Sequence, residues 1–330
     1  MQTKVAVIGA GVSGCSSALA LLEQYPSLDV TIFSDRPFEQ TTSFGPAGLF
    51  RLDKLENRKW ALASFKRFIE IHQKIGGSAG VQLVSGHILS DDLQLLKQQE
   101  ACMADIVFNF GWLKEHELKQ FANPSKYAIH FTSFTTEGRT YVPWLVRNLK
   151  EKGAKFESRR VKSLEELGRE YNLVINCAGL NAGELVSDDQ VVPIRGVLIE
   201  VDATWHKHFL YRDLVTISIP STTSLFIGTV KEVGRSDLVI TQEDREDIWN
   251  RVLNLMPTLK NAKVLSEWIG LRPHREQIRL DLETRQTTDG KTFTVINNYG
   301  HGANGFTLSW GCALDVVELA GSQLKIASRL

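Results

Sequence analysis

The chain has 330 residues, of which 43% are apolar and 23% are charged. This composition is typical of a globular protein and excludes a disordered or collagen-like chain. The 38 basic residues balance the 38 acidic ones, so no net charge draws the chain to nucleic acid, and we do not expect nucleic-acid binding. At about 150 residues per domain, the length indicates two domains.

The positions of the cysteines bear on whether the chain has disulfide bonds or a cysteine metal site. The four cysteines lie far apart and form no Cys-x-x-Cys pair, so we predict reduced thiols and no metal site. They are Cys15, Cys102, Cys177 and Cys312.

The first apolar stretch, residues 5–22, carries no charge. It contains Gly9, Gly11 and Gly14, which suit a glycine-rich turn better than a helix in lipid, for which about 20 mainly apolar residues are needed. We therefore predict neither a signal peptide nor a membrane span here.

Hydrophobic periodicity predicts the elements in chain order. Residues 4–8 are predicted to form a buried strand, residues 12–24 a helix and residues 30–33 a second strand, which together make a parallel βαβ unit. Further helices are predicted at 59–74, 113–120, 143–150 (with Pro143 near its first turn), 244–255 and 306–319. Further strands are predicted at 81–84, 105–110, between 156 and 161, at 173–179 with a small-residue turn at its end, within 191–230 and at 293–297, and a loop is predicted at 299–302. We expect an α/β fold in which a Rossmann-like domain is interleaved with a mixed α+β domain.

The turn after the first strand has the spacing Gly9-x-Gly11-x-x-Gly14, and Asp35 ends the next strand 21 residues after Gly14. In such a turn the glycines allow a tight bend, close approach of a pyrophosphate and close packing of helix on strand. The helix N-terminus offers N–H groups to phosphate, and the acidic residue can bind a ribose. The motif predicts a dinucleotide site but leaves NAD and FAD both open.

A second glycine-rich segment, residues 297–307, is predicted to be a strand, a loop and a helix start. A helix N-terminus directed at a flavin pyrimidine would stabilise the negative charge of the reduced ring. An ordinary nicotinamide dehydrogenase has no need for this second loop, so the segment favours FAD.

Several motifs in one order resemble the D-amino-acid oxidase family of flavoenzymes, which has a D-aspartate branch. They are residues 9–14, 35–36, 41–43, 47–48, 84–86, 141–145, 176–179, 193–196, 270–273 and 299–302. The resemblance implies noncovalent FAD and oxidation of a D-amino acid to an imino acid, which hydrolyses to an oxo acid and ammonia while O₂ becomes H₂O₂.

The resemblance also assigns roles to residues. Arg272 is expected to bind the substrate α-carboxylate, and the backbone carbonyl of Ala303 the amine. The expected FAD contacts are Gly9, Ala10, Gly11, Val12, Ser13, Gly14, Asp35, Arg36, Thr42, Ser43, Gly48, Leu49, Val161, Gly302, Asn304, Gly305, Phe306 and Thr307. The FAD-binding domain is expected over 1–50, 138–190 and 265–330, and the substrate-binding domain over 51–137 and 191–264.

Tyr211-Arg212-Asp213 resembles the aspartate branch, in which Arg212 would meet the substrate side-chain carboxylate. A second cation is what a buried dicarboxylate requires. The alternative is that Arg212 pairs with Asp213 at the surface, and Arg51, Lys231 and Arg235 are weaker candidates for the cation.

One departure from the family concerns the strand before Pro220, which lacks the usual tyrosine. Tyr211 and Ser218 are the two candidates to replace it. We expect oxidation of D-aspartate, with D-glutamate and N-methyl-D-aspartate as further substrates. Two alternatives stay open: an oxidase of neutral D-amino acids or of glycine or sarcosine, and an FAD-binding homologue with weak catalysis.

The chain ends Ser328-Arg329-Leu330, which resembles the peroxisomal Ser-Lys-Leu address. We therefore expect the peroxisomal import receptor as a partner and the peroxisomal matrix as the location. The oligomeric state is left open.

Overall fold

The computed structural model describes residues 3–327, and the side chains of residues 3–323. Its helices are α1 (Val12–Gln24), α2 (Arg58–Ile75), α3 (Leu93–Met103), α4 (Glu115–Leu118), α5 (Gly138–Glu151), α6 (Leu164–Gly168), α7 (Ala182–Val186), α8 (Gln242–Leu255) and α9 (Gly305–Ala327). Within the described residues, each helix is too short or too polar to cross a bilayer. The terminal Ser328-Arg329-Leu330 lies outside the described residues.

Fourteen strands accompany these helices in the described part of the chain. They are β1 (Lys4–Ile8), β2 (Asp29–Ser34), β3 (Val81–Ser90), β4 (Phe108–Trp112), β5 (Tyr127–Thr136), β6 (Lys155–Ser158), β7 (Leu173–Asn176), β8 (Val192–Asp202), β9 (Phe209–Arg212), β10 (Thr216–Pro220), β11 (Leu225–Gly228), β12 (Glu232–Val233), β13 (Lys263–Gln286) and β14 (Thr292–His301). The mixture confirms the predicted α/β class.

The chain forms two compact units, and each is built from separated segments. The first unit comprises the described residues of Met1–Phe44, Tyr141–Pro193 and Arg272–Leu330. The second comprises Gly45–Thr140 and Ile194–Leu271. These bounds describe compactness, and the assignment of FAD and substrate to particular domains stays a prediction.

The first unit is built on strands in the order β14-β7-β1-β2-β6, all parallel, with β13 antiparallel to β14 at one edge. Val5, Ala6 and Val7 of β1 are fully buried, as expected for a central strand covered on both faces. From β1 the chain moves to β2 on one side, and β7 lies on the other. Such a switch point is where open parallel sheets bind ligands, beyond the carboxyl ends of their strands.

The second unit is built on a largely antiparallel sheet in the order β4-β5-β3-β9-β10-β11-β8, with β12 pairing β8. Among the described strands of this order, only β3 and β9 pair in parallel. Helix α8 covers the sheet with an apolar face that shares one core cluster with strand β8. The residues that α8 and β8 contribute to this cluster are Ile248, Val252, Leu255, Val197, Ile199 and Val201.

Helix α5 and strand β14 differ in their bounds from the prediction. Helix α5 begins at Gly138, so Pro143 lies inside the helix and not in its first turn. Strand β14 continues to His301, so residues 299–301, predicted as loop, are strand. His301 pairs with His274 on β13, which carries the ladder past Gly300.

Candidate flavin and substrate sites

The turn between β1 and α1 is closed by contacts that leave no room for side chains. Gly9 has φ +106°, and a Cβ there would lie 2.4 Å from the Cys177 carbonyl oxygen. A Cβ on Gly14 would lie 1.8 Å from the Gly9 carbonyl oxygen. Glycine is therefore required at both positions, the first by backbone conformation and close packing and the second by the approach of helix to turn.

The N-terminus of helix α1 lies directly after this turn, at Val12. Gly11 is the N-cap and supplies no side-chain cap, and the Val12 amide donates to the Ser43 hydroxyl over 3.0 Å. The Ser43 oxygen would be 2.9 Å from a Cβ on Gly11. The helix N-terminus thus faces a hydroxyl oxygen at close range, and it has the positive dipole end that favours a phosphate.

Asp35 follows β2 and is paired with its neighbour. The Arg36 guanidinium donates to the two Asp35 carboxylate oxygens over 2.8 and 2.7 Å. This hydrogen bonding lowers the pKa of Asp35, so the carboxylate stays ionised and able to accept a hydrogen bond at neutral pH. Both residues were predicted to contact the cofactor, and they lie together at the carboxyl end of β2.

The second glycine-rich segment lies at the same sheet edge as the first. Because β14 runs parallel to β7 and β7 to β1, their carboxyl ends share an edge, and α9 begins just after β14. Asn304, Phe306 and Thr307 of this helix start are buried, whereas Ala303 is exposed. The first unit therefore places the two predicted glycine segments at one edge.

His301 ends β14 with its imidazole buried, and burial lowers its pKa to about 4. The ring is therefore neutral at neutral pH. Its Nε2 has no hydrogen-bond partner among the described residues, and a buried polar atom normally has one.

A cluster that the sequence did not reveal anchors the end of β14. Tyr299 donates from its hydroxyl to Asp188 over 2.8 Å, and Arg275 donates to the same carboxylate over 3.0 Å. Arg279 donates to the Tyr299 hydroxyl over 3.1 Å. Asp188 is 111 positions from Tyr299, so no local pattern could have predicted the contact.

Arg212 lies at the end of β9 in the second unit. Its guanidinium donates to the Asn254 side-chain oxygen over 2.7 Å and to the Asn123 carbonyl. Asp213 instead accepts a bond from Ser90 over 2.6 Å. Among the residues whose side chains are described, both hydrogen-bond partners of Arg212 are neutral oxygens, and Asp213 is not one of them.

Tyr211 faces the opposite side of β9 from Arg212, because side chains alternate along a strand. It pairs directly with Ile217 across β9 and β10, and the Arg51 guanidinium lies 5.8 Å from its ring centre. Its phenol therefore shares a sheet face with Ile217 in the strand before Pro220. Ser218 faces the other side, where its hydroxyl lies 3.0 Å from His206 Nε2.

The other predicted residues are distributed over both units. Arg272 is a half-buried residue of β13 in the first unit, and Val161 packs in the core cluster that contains Ala6 and Phe33. Gly48 and Leu49 belong to the second unit, where the Thr136 amide donates to the Gly48 carbonyl over 2.9 Å.

The sequence is similar to those of known proteins along nearly its whole length. A model of the family described as FAD dependent oxidoreductase matches residues 4–319. The chain belongs to this family. It is 48% identical to D-aspartate oxidase 1 of Caenorhabditis elegans, over 98% of this chain and 99% of that protein. It is also 48% identical to D-aspartate oxidase 2 of Caenorhabditis briggsae, over 99% and 100%.

A solved structure shows the same fold. Glycine oxidase from Bacillus cereus superimposes with a TM-score of 0.79, covering 98% of this chain and 96% of that one at 17% sequence identity. At that identity the likeness concerns the fold alone.

FAD is the cofactor of this family, and the residues of the first unit fit it. At the Gly9–Gly14 turn the N-cap residue Gly11 adds no side-chain cap to α1, and the Ser43 hydroxyl accepts from the Val12 amide. A Cβ on Gly305 at the start of α9 would meet nothing within 4 Å. The unpartnered Nε2 of His301 adds a buried polar atom beside this second segment. Two helix starts, one of them open and next to an unsatisfied polar atom, suit a ligand with phosphates and a polar ring.

Proposed function

We propose that the chain is a D-aspartate oxidase, which deaminates D-aspartate, D-glutamate and N-methyl-D-aspartate oxidatively to a 2-oxo acid, an amine or ammonia, and H₂O₂. The observation that carries the proposal is the 48% identity to two D-aspartate oxidases over essentially their whole length. Bound FAD, the cofactor of this family, would supply the acceptor for the hydride that leaves the substrate Cα.

The residues of this chain hold and orient the reactants. Arg272 is proposed to grip the α-carboxylate through two parallel hydrogen bonds, for which a guanidinium is suited. The Ala303 carbonyl oxygen is proposed to accept a hydrogen bond from the substrate amine and so to fix the orientation of the amine. These contacts fix the Cα–H bond relative to the flavin, and such positioning accounts for much of the rate.

Arg212 is proposed to bind the side-chain carboxylate of an acidic substrate. It carries a positive charge whose described partners, on Asn254 and Asn123, are neutral oxygens. Tyr211 is proposed to take the place of the missing strand tyrosine, because its phenol shares a face with Ile217, whereas Ser218 points the other way.

The test is the rate of H₂O₂ formation by the FAD-loaded protein with four substrates: D-aspartate, L-aspartate, D-alanine and glycine. We expect the highest kcat/KM with D-aspartate and no turnover of L-aspartate. Faster turnover of D-alanine or glycine would favour an oxidase of neutral substrates, and absence of turnover with all four would favour a catalytically weak FAD protein.

We also propose that the protein resides in the peroxisomal matrix, brought there by an import receptor that binds Ser328-Arg329-Leu330. The support is the likeness of this tripeptide to a peroxisomal address and the value of placing a peroxide source beside catalase. Removal of the three residues from a fluorescent fusion should disperse it to the cytosol. An unchanged distribution would contradict the proposal.

A further inference from the structure

Three histidines lie together on the sheet of the second unit. His87 on β3 is the direct cross-strand partner of His130 on β5, and His208 comes just before β9, which pairs with β3. The ring centres of His87 and His130 are 4.9 Å apart, and those of His87 and His208 are 6.2 Å apart. No role in the proposed oxidation uses these three rings.

The nearest nitrogens of the first two rings have the separation of two ligands on one metal ion. His87 Nε2 and His130 Nδ1 lie 3.3 Å apart. Two imidazole nitrogens at about 2.0–2.1 Å from a tetrahedral zinc ion are roughly 3.3–3.4 Å from each other. The two nitrogens therefore have a separation suited to one shared ion, provided that each ring turns so that its lone pair is directed at the ion and not at the other ring.

His87 has an unpartnered nitrogen besides the one that faces His130. A hydrogen bond between the rings uses one proton and one lone pair, and His87 Nδ1 on the far side of its ring is buried with no partner among the described residues. An unpartnered polar atom in a buried ring has a cost. Metal binding would replace the hydrogen bond between the rings by two nitrogen–metal bonds, and the proton of that hydrogen bond would move to the other nitrogen of the same ring.

The rings are in the protonation state that a metal requires. Burial, with repulsion from His130 and His208, lowers the pKa of His87 to about 4, and burial with repulsion from His208 also lowers the pKa of His130. Both rings are neutral near pH 7, and a neutral imidazole is a common ligand of zinc, copper and nickel. Glu117 is the carboxylate whose charge acts on both rings.

We propose that His87 and His130 bind a divalent transition-metal ion of the zinc, copper or nickel class, with His208 as the adjacent third ring. In the described residues, no group of three or more His, Cys, Asp or Glu side chains is already arranged as a metal shell. The site therefore has two protein ligands in place, and water or a rotated His208 completes the coordination.

The test is a calorimetric titration of the FAD-loaded full chain with Zn²⁺ at pH 7.5. Wild type should bind one equivalent, and His130→Gln should weaken binding at least tenfold. His208→Gln should weaken it less. His72→Gln, in which the exchanged ring lies on α2 and contacts the Val81 carbonyl, is the matched control and should bind as wild type does.

Retained flavin absorbance reports that each variant is folded. Titration with Cu²⁺ provides a second readout, because nitrogen ligands produce a resolved splitting in the electron paramagnetic resonance spectrum, which His130→Gln should lose. Equal Zn²⁺ affinity of wild type and His130→Gln, or no uptake by wild type, would overturn the proposal and leave the pair as a hydrogen bond between two rings.

Discussion

Arg212 and Tyr211 are neighbours in sequence with opposite surroundings. Arg212 donates to Asn254 and Asn123, while Tyr211 lies near Arg51 on the other face of the strand. The alternative in which Arg212 pairs with the next residue is not what the structure shows, because that aspartate accepts from a serine on β3. The sequence identifies both residues as candidates. It does not show which face of β9 each side chain occupies, and that face decides which partners each side chain contacts.

Replacement of Arg212 by leucine tests its proposed role. Arg212→Leu removes the cation for the side-chain carboxylate, so kcat/KM should fall more for D-aspartate than for D-alanine. Steady-state peroxide assays with both substrates measure the ratio. An equal loss for the two substrates would contradict the assignment.

Replacement of Arg272 by leucine tests the grip on the α-carboxylate, which every amino-acid substrate has. Loss of a charge-assisted bidentate contact should cost about 3–5 kcal/mol, or two or more orders of magnitude in kcat/KM. The value of kcat/KM should fall by a similar factor for D-aspartate and D-alanine, whereas Arg212→Leu should affect D-aspartate more. A loss below tenfold with flavin content unchanged would rule out the role.

At the scale of elements, the β1–turn–α1 unit was predicted closely. The strand at residues 4–8 and the helix at residues 12–24 match β1 and α1, because glycine spacing and a short apolar run are local signals. The 24-residue strand β13 was not predicted. Its residues are mostly half-exposed and often charged, so no apolar run marks it as a strand. It forms by antiparallel pairing with β14, the next strand along the chain.

The contact between Gly9 and Gly14 leads to a prediction at this scale. Gly14→Ala puts a Cβ where the Gly9 carbonyl oxygen lies at 1.8 Å, so turn and helix must separate. The expected result is loss of bound FAD and a destabilisation of about 1–3 kcal/mol, the usual cost of overpacking. Flavin absorbance per protein and thermal unfolding measure both effects.

The matched control is Gly111→Ala on β4, where an added Cβ meets nothing within 4 Å. This variant should keep its flavin and its unfolding temperature. If Gly14→Ala binds FAD as wild type does, the close contact does not control the turn.

At the scale of the whole molecule, the sequence predicted the fold class and the interleaving of two units. It could not predict the contacts that tie each unit internally, such as Asp188 with Tyr299 or His87 with His130, because the partners are 111 and 43 positions apart. The family resemblance supplied the cofactor, and the family match confirms it. The roles of individual site residues stay predictions.

The most direct measurement of the central claim is anaerobic mixing of the FAD-loaded protein with D-aspartate, followed by the flavin absorbance near 450 nm. Without O₂ the reduced flavin accumulates. The absorbance change therefore reports flavin reduction directly and depends neither on the rate of reoxidation nor on the detection of peroxide. The account predicts rapid bleaching by D-aspartate, slower bleaching by D-alanine and none by L-aspartate. Flavin that stays oxidised with D-aspartate, or bleaches faster with D-alanine, would contradict it.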